Sequence, residues 1–173
     1  MQGRRGFTLI ELLFSITLLA VILSLALPSL ERLRLFSQSV SAAQQLMAIL
    51  NFSRQQSVIN KISVSICPTQ DNVACSHNWD HPLMIFHDDN SNGSREAEET
   101  ILRYSDILEK GEKLVWKASG SRDYIRYKFM GETRNQNGRL SYCSRKNRVI
   151  VQIVLYHTGR ARVAKTRETK LHC

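Results

Sequence analysis

Glycine and proline are scarce in this chain of 173 residues, at 8 and 3, and aromatic residues make up only 8% of it. So little Gly and Pro excludes a collagen-like or low-complexity chain. Acidic residues are outnumbered, 15 against 24 Lys and Arg. The hydrophobic share of 43% nevertheless excludes a disordered polyelectrolyte. There is one long apolar run rather than several, which excludes a polytopic membrane protein. The sequence contains no internal repeat, no nucleophile elbow, no HExxH and no phosphate loop, so neither an enzyme nor a cofactor is expected. The length allows one modest domain with a real core and one appended element.

The net charge of +9 is unevenly placed. Residues 1–109 hold 8 basic and 11 acidic side chains, a net of −3, whereas residues 110–173 hold 16 and 4, a net of +12. The apolar residues are as local as the charge. Phe7 to Leu27 reads FTLIELLFSITLLAVILSLAL, 21 residues with the single charge Glu11. At 1.5 Å per residue the run reaches about 30 Å, the thickness of a bilayer core. A cleaved secretory signal fits poorly, because the run is long, ends without a small-x-small site and contains Glu11. A carboxylate in a membrane segment costs about 2.5–3.5 kcal/mol, so Glu11 calls for a partner charge.

Met1-Gln-Gly-Arg-Arg-Gly6 followed by Phe7-Thr-Leu-Ile-Glu11 resembles the class III signal of type IV pilins and type II secretion pseudopilins. The resemblance implies that residues 1–6 are a leader cut after Gly6 by a prepilin peptidase. Phe7 then becomes the N-methylated first residue, and segment 7–28 moves from the inner membrane into a filament core among other major and minor pilins. It further implies that Glu11 neutralises the new N-terminal ammonium of a neighbouring subunit, so that neither charge is buried alone. The C-terminal domain would stand in the periplasm first and on the pilus or cell surface afterwards.

Beyond Pro28, which can kink a helix, Leu33, Phe36, Val40, Ala43, Met47 and Leu50 recur at spacings of three and four. That spacing predicts an amphipathic helix over 29–59. After Asn60 the period becomes two, through Ile62, Val64 and Ile66. Further strands are expected at Leu83–Phe86, Thr100–Tyr104, Lys113–Trp116, Tyr124–Met130, Arg139–Cys143 and Arg148–Tyr156, separated by Asn, Asp, Gly and Ser clusters. The expected architecture for 29–173 is α+β, type IV pilin-like, with a long N-terminal helix on antiparallel sheet. Cys67-Pro-Thr-Gln-Asp71-Asn-Val-Ala-Cys75, Trp79, Ile85-Phe86, Asp89-Asn-Ser-Asn-Gly93 and Glu99-Thr-Ile-Leu-Arg103 resemble the GspH/FimT branch of pilin-like proteins. Members of that branch are minor pilins and tip pseudopilins, and those called FimT are associated with DNA uptake in natural transformation.

Four cysteines allow three pairings, and an exported domain meets an oxidising compartment. The expected pairs are Cys67–Cys75, which closes a short loop, and Cys143–Cys173, which ties the last residue to a strand. A zinc site from Cys67, Cys75, His77 and His81 is the competing reading, but C-x7-C-x-H-x3-H is not a usual finger or ribbon spacing. His87 and His157 read as ordinary surface or strand residues. Asp88 to Glu99 matches a calcium-loop expression. An EF-hand loop lies between helices, and this one lies between expected strands, so a polar hairpin turn is preferred and no metal is expected.

Residues 158–173 hold five basic side chains and one acidic one, with little to bury. Gly159 lets the chain turn after the last strand, and Arg160 and Arg162 at i, i+2 share a face of an extended chain, about 7 Å apart. Guanidinium groups bind phosphate bidentately. Lys165 and Arg167 continue the track, and Arg145, Lys146 and Arg148 lie near Cys143. The G-R-x-R element resembles the C-terminal motif linked to DNA binding in FimT-type minor pilins, which implies double-stranded DNA, held by its phosphates, as a partner. No recognition helix is present, and Tyr156 is the only aromatic near the tail, so neither base reading nor a stacking platform is expected. The second expectation is a tip or priming subunit of a pilus or secretion system that does not touch DNA.

Overall fold

A computed structural model describes residues 8–120, 122–144, 149–164 and Cys173, without the side chains at 25–29, 31, 32 and 35. Gly6, Phe7, Arg145, Lys146, Arg148, Lys165 and Arg167 lie outside the described residues. The order of elements is α1 (Leu9–Asn60), β1 (Val64–Pro68), β2 (Leu83–His87), β3 (Ile101–Ser105), β4 (Lys113–Ala118), β5 (Ile125–Tyr127), β6 (Gly138–Cys143), β7 (Val149–Leu155) and β8 (Ala161–Val163). The chain divides into two compact units, one ending at Gln38 and one comprising Ser39–Cys173.

In the first unit Thr8 caps α1, accepting a hydrogen bond from the Glu11 amide on its Oγ1 at 3.3 Å. Leu9, Ile10, Phe14 and their large apolar neighbours as far as Leu23 are all at least half exposed. Among the described residues no helix is long and apolar enough to cross a membrane. The span expected over 7–28 reaches past the described side chains at both ends.

The second unit contains two antiparallel sheets, β3-β2-β1-β5 and β4-β6-β7-β8. Ala42, Leu46, Ile49 and Leu50 of α1 form one core with Val64, Ile66, Leu83 and Ile85 of the first sheet and Trp116, Leu140, Tyr142 and Ile153 of the second. Of the expected stripe, Leu50 is buried and Ala43 and Met47 pack against the core, joined there by Ala42, Leu46 and Ile49, whereas Leu33 and Phe36, in the first unit, are exposed. Ser53 and Ser57 are fully buried, and their hydroxyls donate back to the carbonyls of Ile49 and Arg54.

β1 is buried along its whole length, with Val64 and Ile66 in this core and Cys67 on the opposite face in a second cluster. Cys67, Met84 and Phe86 form a second, smaller cluster against Cys75, Ile101 and Tyr124. Cys67 is bonded to Cys75, and Cys143 to Cys173. Inside the first loop the Asp71 carboxylate accepts the amides of Val73 and Ala74 at 2.9 and 3.0 Å. The 88–99 segment closes over the same face. Asp88, fully buried, accepts the Ser65 hydroxyl and the amides of Asn92 and Gly93, with Arg126 at 3.7 Å. Glu99 accepts the amides of Asp89 and Glu96. Gly93, at φ +81°, passes so close to the Tyr124 ring that a Cβ would overlap it.

Several expected strand limits shift, and one further strand forms. Lys61 takes φ +56° after α1, and β1 starts at Val64 rather than Ile62. The strand expected over Tyr124–Met130 stops at Tyr127, because the Gly131 amide bonds back to the Lys128 carbonyl in a turn. The basic tail is not wholly outside the sheet, since Ala161–Val163 pairs with β7 as β8.

Two measurements test these contacts. Asp88→Ala deprives buried donors of their acceptor and leaves Arg126 without its carboxylate, so urea unfolding is expected to show a destabilisation of about 3–5 kcal/mol; a value below about 1 kcal/mol would contradict that role. The amides of Val73 and Ala74 hold Asp71 below its ordinary pKa of 3.8. Its contribution to stability is therefore complete above that value and disappears as pH falls through the lower folded one. An NMR titration giving Asp71 an ordinary aspartate pKa would refute this.

Candidate nucleic-acid interface

Tyr156 to Arg160 form the turn between β7 and β8. The Tyr156 amide donates to the Arg160 carbonyl at 3.0 Å, and the Gly159 amide to the Tyr156 carbonyl at 2.8 Å. Gly159 sits at φ +76°, and a Cβ there would come within 1.9 Å of the Gly131 carbonyl oxygen. No other residue type fits without moving one of the two chain segments.

The turn is held from several directions. Arg54 of α1 donates its Nε to the Gly131 carbonyl at 2.9 Å and an Nη2 to the Thr158 carbonyl at 3.5 Å. Thr133 donates its hydroxyl to the Tyr156 carbonyl and its amide to the His157 carbonyl. Asn137 accepts the His157 amide at 2.6 Å. The tip of the basic segment is thus a fixed hairpin.

Arg160 is exposed at the end of this turn. Arg162, half-buried on β8, donates its Nε to the Tyr156 hydroxyl at 3.0 Å, and its guanidinium lies 5.7 Å from the centre of that ring. Tyr156, noted in the sequence only as a solitary aromatic, positions Arg162. The turn at Lys128–Gly131 also packs against the hairpin, through the close approach of Gly131 to Gly159. The sequence shows no signal for this beyond two glycines 28 residues apart.

The metal readings meet specific obstacles. The disulfide consumes the sulfurs of Cys67 and Cys75, and His77 pairs through Nδ1 with Asp123 at 2.8 Å on the surface. The carboxylates of Asp88 and Glu99 turn inward to backbone amides. Among the described residues no group of three or more His, Cys, Asp or Glu is arranged to hold a metal ion. Glu11 lies in the exposed first turn of α1.

Comparison with known proteins agrees with this architecture. The family described as type II transport protein GspH matches residues 42–159, more than half the chain, and the prokaryotic N-terminal methylation motif matches residues 1–27. A comparison with curated proteins gives no significant match. Among solved structures, the type IV minor pilin FimU of Pseudomonas aeruginosa superposes with a TM-score of 0.57 at 18% identity, covering 83% of this chain and 97% of FimU. The minor pseudopilin EpsH of the Vibrio cholerae type 2 secretion system gives 0.52 at 12% identity, covering 76% of this chain and 99% of EpsH. With an N-terminal methylation motif leading into a helix laid on two antiparallel sheets, the chain belongs to the GspH family of type II transport proteins.

Proposed function

We propose that this chain is a minor pilin of the FimT type, which binds extracellular double-stranded DNA without sequence preference during natural transformation. The observation that carries the reading is the fixed β7–β8 hairpin, on which Arg160 is exposed and Arg162 is held by Tyr156. An arginine oriented as Arg162 is, on a fixed backbone turn, meets a phosphate without the entropy cost of ordering a loose tail. Lys165, Arg167, Arg145, Lys146 and Arg148 would add charge around them, outside the described residues.

Before assembly the precursor would be anchored in the inner membrane with its C-terminal domain in the periplasm. A prepilin peptidase would cut after Gly6 and expose Phe7, and the exposed apolar surface of α1 from Leu9 to Leu23 would then be covered by other pilins. Glu11 would meet a neighbour's N-terminal ammonium there.

The second reading is a tip or priming subunit of a pilus or secretion system that does not bind DNA. It draws on the FimU and EpsH folds, which belong to a minor pilin and a minor pseudopilin.

Binding of the full-length chain in detergent to a short duplex of arbitrary sequence separates the two. The DNA reading expects log affinity to fall linearly with log salt, and Arg160→Gln with Arg162→Gln to flatten that slope by about 0.9 for each phosphate no longer neutralised. Gly159→Ala keeps the charge and displaces the hairpin, so it should weaken binding as well. Absence of binding at about 50 mM salt, or a double variant indistinguishable from the parent chain, would support the tip-subunit reading.

A further inference from the structure

Two turns of the same build meet at the hairpin. In one, the Lys128 amide donates to the Glu132 carbonyl at 2.8 Å and the Gly131 amide to the Lys128 carbonyl at 2.7 Å; in the other, Tyr156 donates to Arg160 and Gly159 to Tyr156 in the same pattern. Gly131 and Gly159 stand at φ +74° and +76°, each closing a three-residue loop with a bulge. Arg54 holds both turns, since its guanidinium donates to the Gly131 and Thr158 carbonyls. The Thr133 amide donates to the His157 carbonyl at 3.0 Å. The tip Phe129-Met130 is thereby fixed on a turn beside the one that ends in His157-Thr158.

The two turns differ in chemistry. Phe129 is 55% exposed and Met130 69%. Val58, 48% exposed, adjoins the same turn, because a Cβ on Gly131 would come within 2.9 Å of its Cγ2. Arg160 is exposed immediately after Gly159, and the acid of the first turn, Glu132, is paired with Arg134 at 3.3 Å. Apolar side chains on a fixed tip gain free energy only when a ligand removes them from water. Tyr156 already carries Arg162 on its ring, so Phe129 is the ring presented to a ligand. A ligand that meets a cation and a bare aromatic ring on neighbouring turns carries a negative charge next to a flat apolar face. An unpaired nucleotide has both, as phosphate and base, whereas a blunt duplex keeps its base faces in the stack.

We infer that Phe129 stacks on an unpaired base while Arg160 takes an adjoining phosphate, so that the site grips DNA at overhangs and frayed ends in addition to holding duplex phosphates. This inference rests on the DNA-binding reading. It supplies the stacking surface that the residues near the tail lack, from a turn whose Gly131 precedes Gly159 by 28 residues. Every base has a π-face, so stacking of this kind preserves binding without sequence preference.

The test titrates the full-length chain in detergent with a blunt duplex, the same duplex with a single-stranded overhang, and the duplex with an abasic overhang, which keeps the phosphates and lacks the bases. The parent chain is expected to bind the base-bearing overhang about fivefold or more tighter than the abasic one. Phe129→Ala, at an exposed position, should remove that preference and leave the salt slope unchanged, since Phe129 neutralises no phosphate. Phe129→Trp should keep the preference. Val73→Ala, which removes an exposed apolar side chain in the Cys67–Cys75 loop, should not alter it. Equal affinity of the parent chain for the two overhangs, or a loss in Phe129→Ala that is the same on both, refutes base stacking. The hairpin reading stands in that case if the blunt duplex still binds with a salt slope that the Arg160 and Arg162 double variant flattens. If the parent chain binds none of the three probes at about 50 mM salt, both fall.

Discussion

Burial of Ala42, Leu46, Ile49 and Leu50 against both sheets is the interaction on which the domain depends. The sheets are separate hydrogen-bonded ladders, and it is the shared apolar core on α1 that unites them. Each large aliphatic side chain buried there contributes about 1.5–3 kcal/mol. Fully buried serines at 53 and 57 extend the contact toward the end of the helix. Arg54, beside the first of them on the same helix, reaches the carbonyls of Gly131 and Thr158. The packing that makes the core therefore also fixes the hairpin that displays Arg160 and Arg162.

The excess positive charge divides by environment. Some cations are structural: Arg126 faces the buried Asp88, and Arg54 is occupied with backbone carbonyls. Others are displayed: Arg160 and Lys117 are exposed, and Arg162 is carried on Tyr156. The acids follow a matching logic. Asp88 and Glu99 are committed to backbone amides in the loop that covers the first sheet, and none lies on the strands of the second.

Much was legible because it depends on short-range chemistry. The methylation signal, the apolar run, the change of period after Asn60 and most strands could be read locally. What could not be read was whatever needed a partner far along the chain. The buried stripe of the helix was legible in part: Leu50, Ala43 and Met47 lie in or against the core, but Ala42 and the buried serines carry little hydrophobic signal and are selected only by close packing on the sheets. The strand expected to reach Met130 ended at Tyr127 because a turn at Lys128–Gly131 meets the C-terminal hairpin.

The amino-acid order by itself determined the family, the α+β class and the presence of arginines two apart near the C-terminus, because each is encoded in adjacent residues. Only the tertiary structure decided that Ala161–Val163 is a strand, that Gly159 lies against Gly131, and that Lys117, Arg139 and Arg162 stand in one row. Strand register aligns Lys117 with Arg162, 45 residues away, through Arg139 and Val154, and the free energy that sets it comes from burying the opposite face of the sheet, not from the charged residues it aligns.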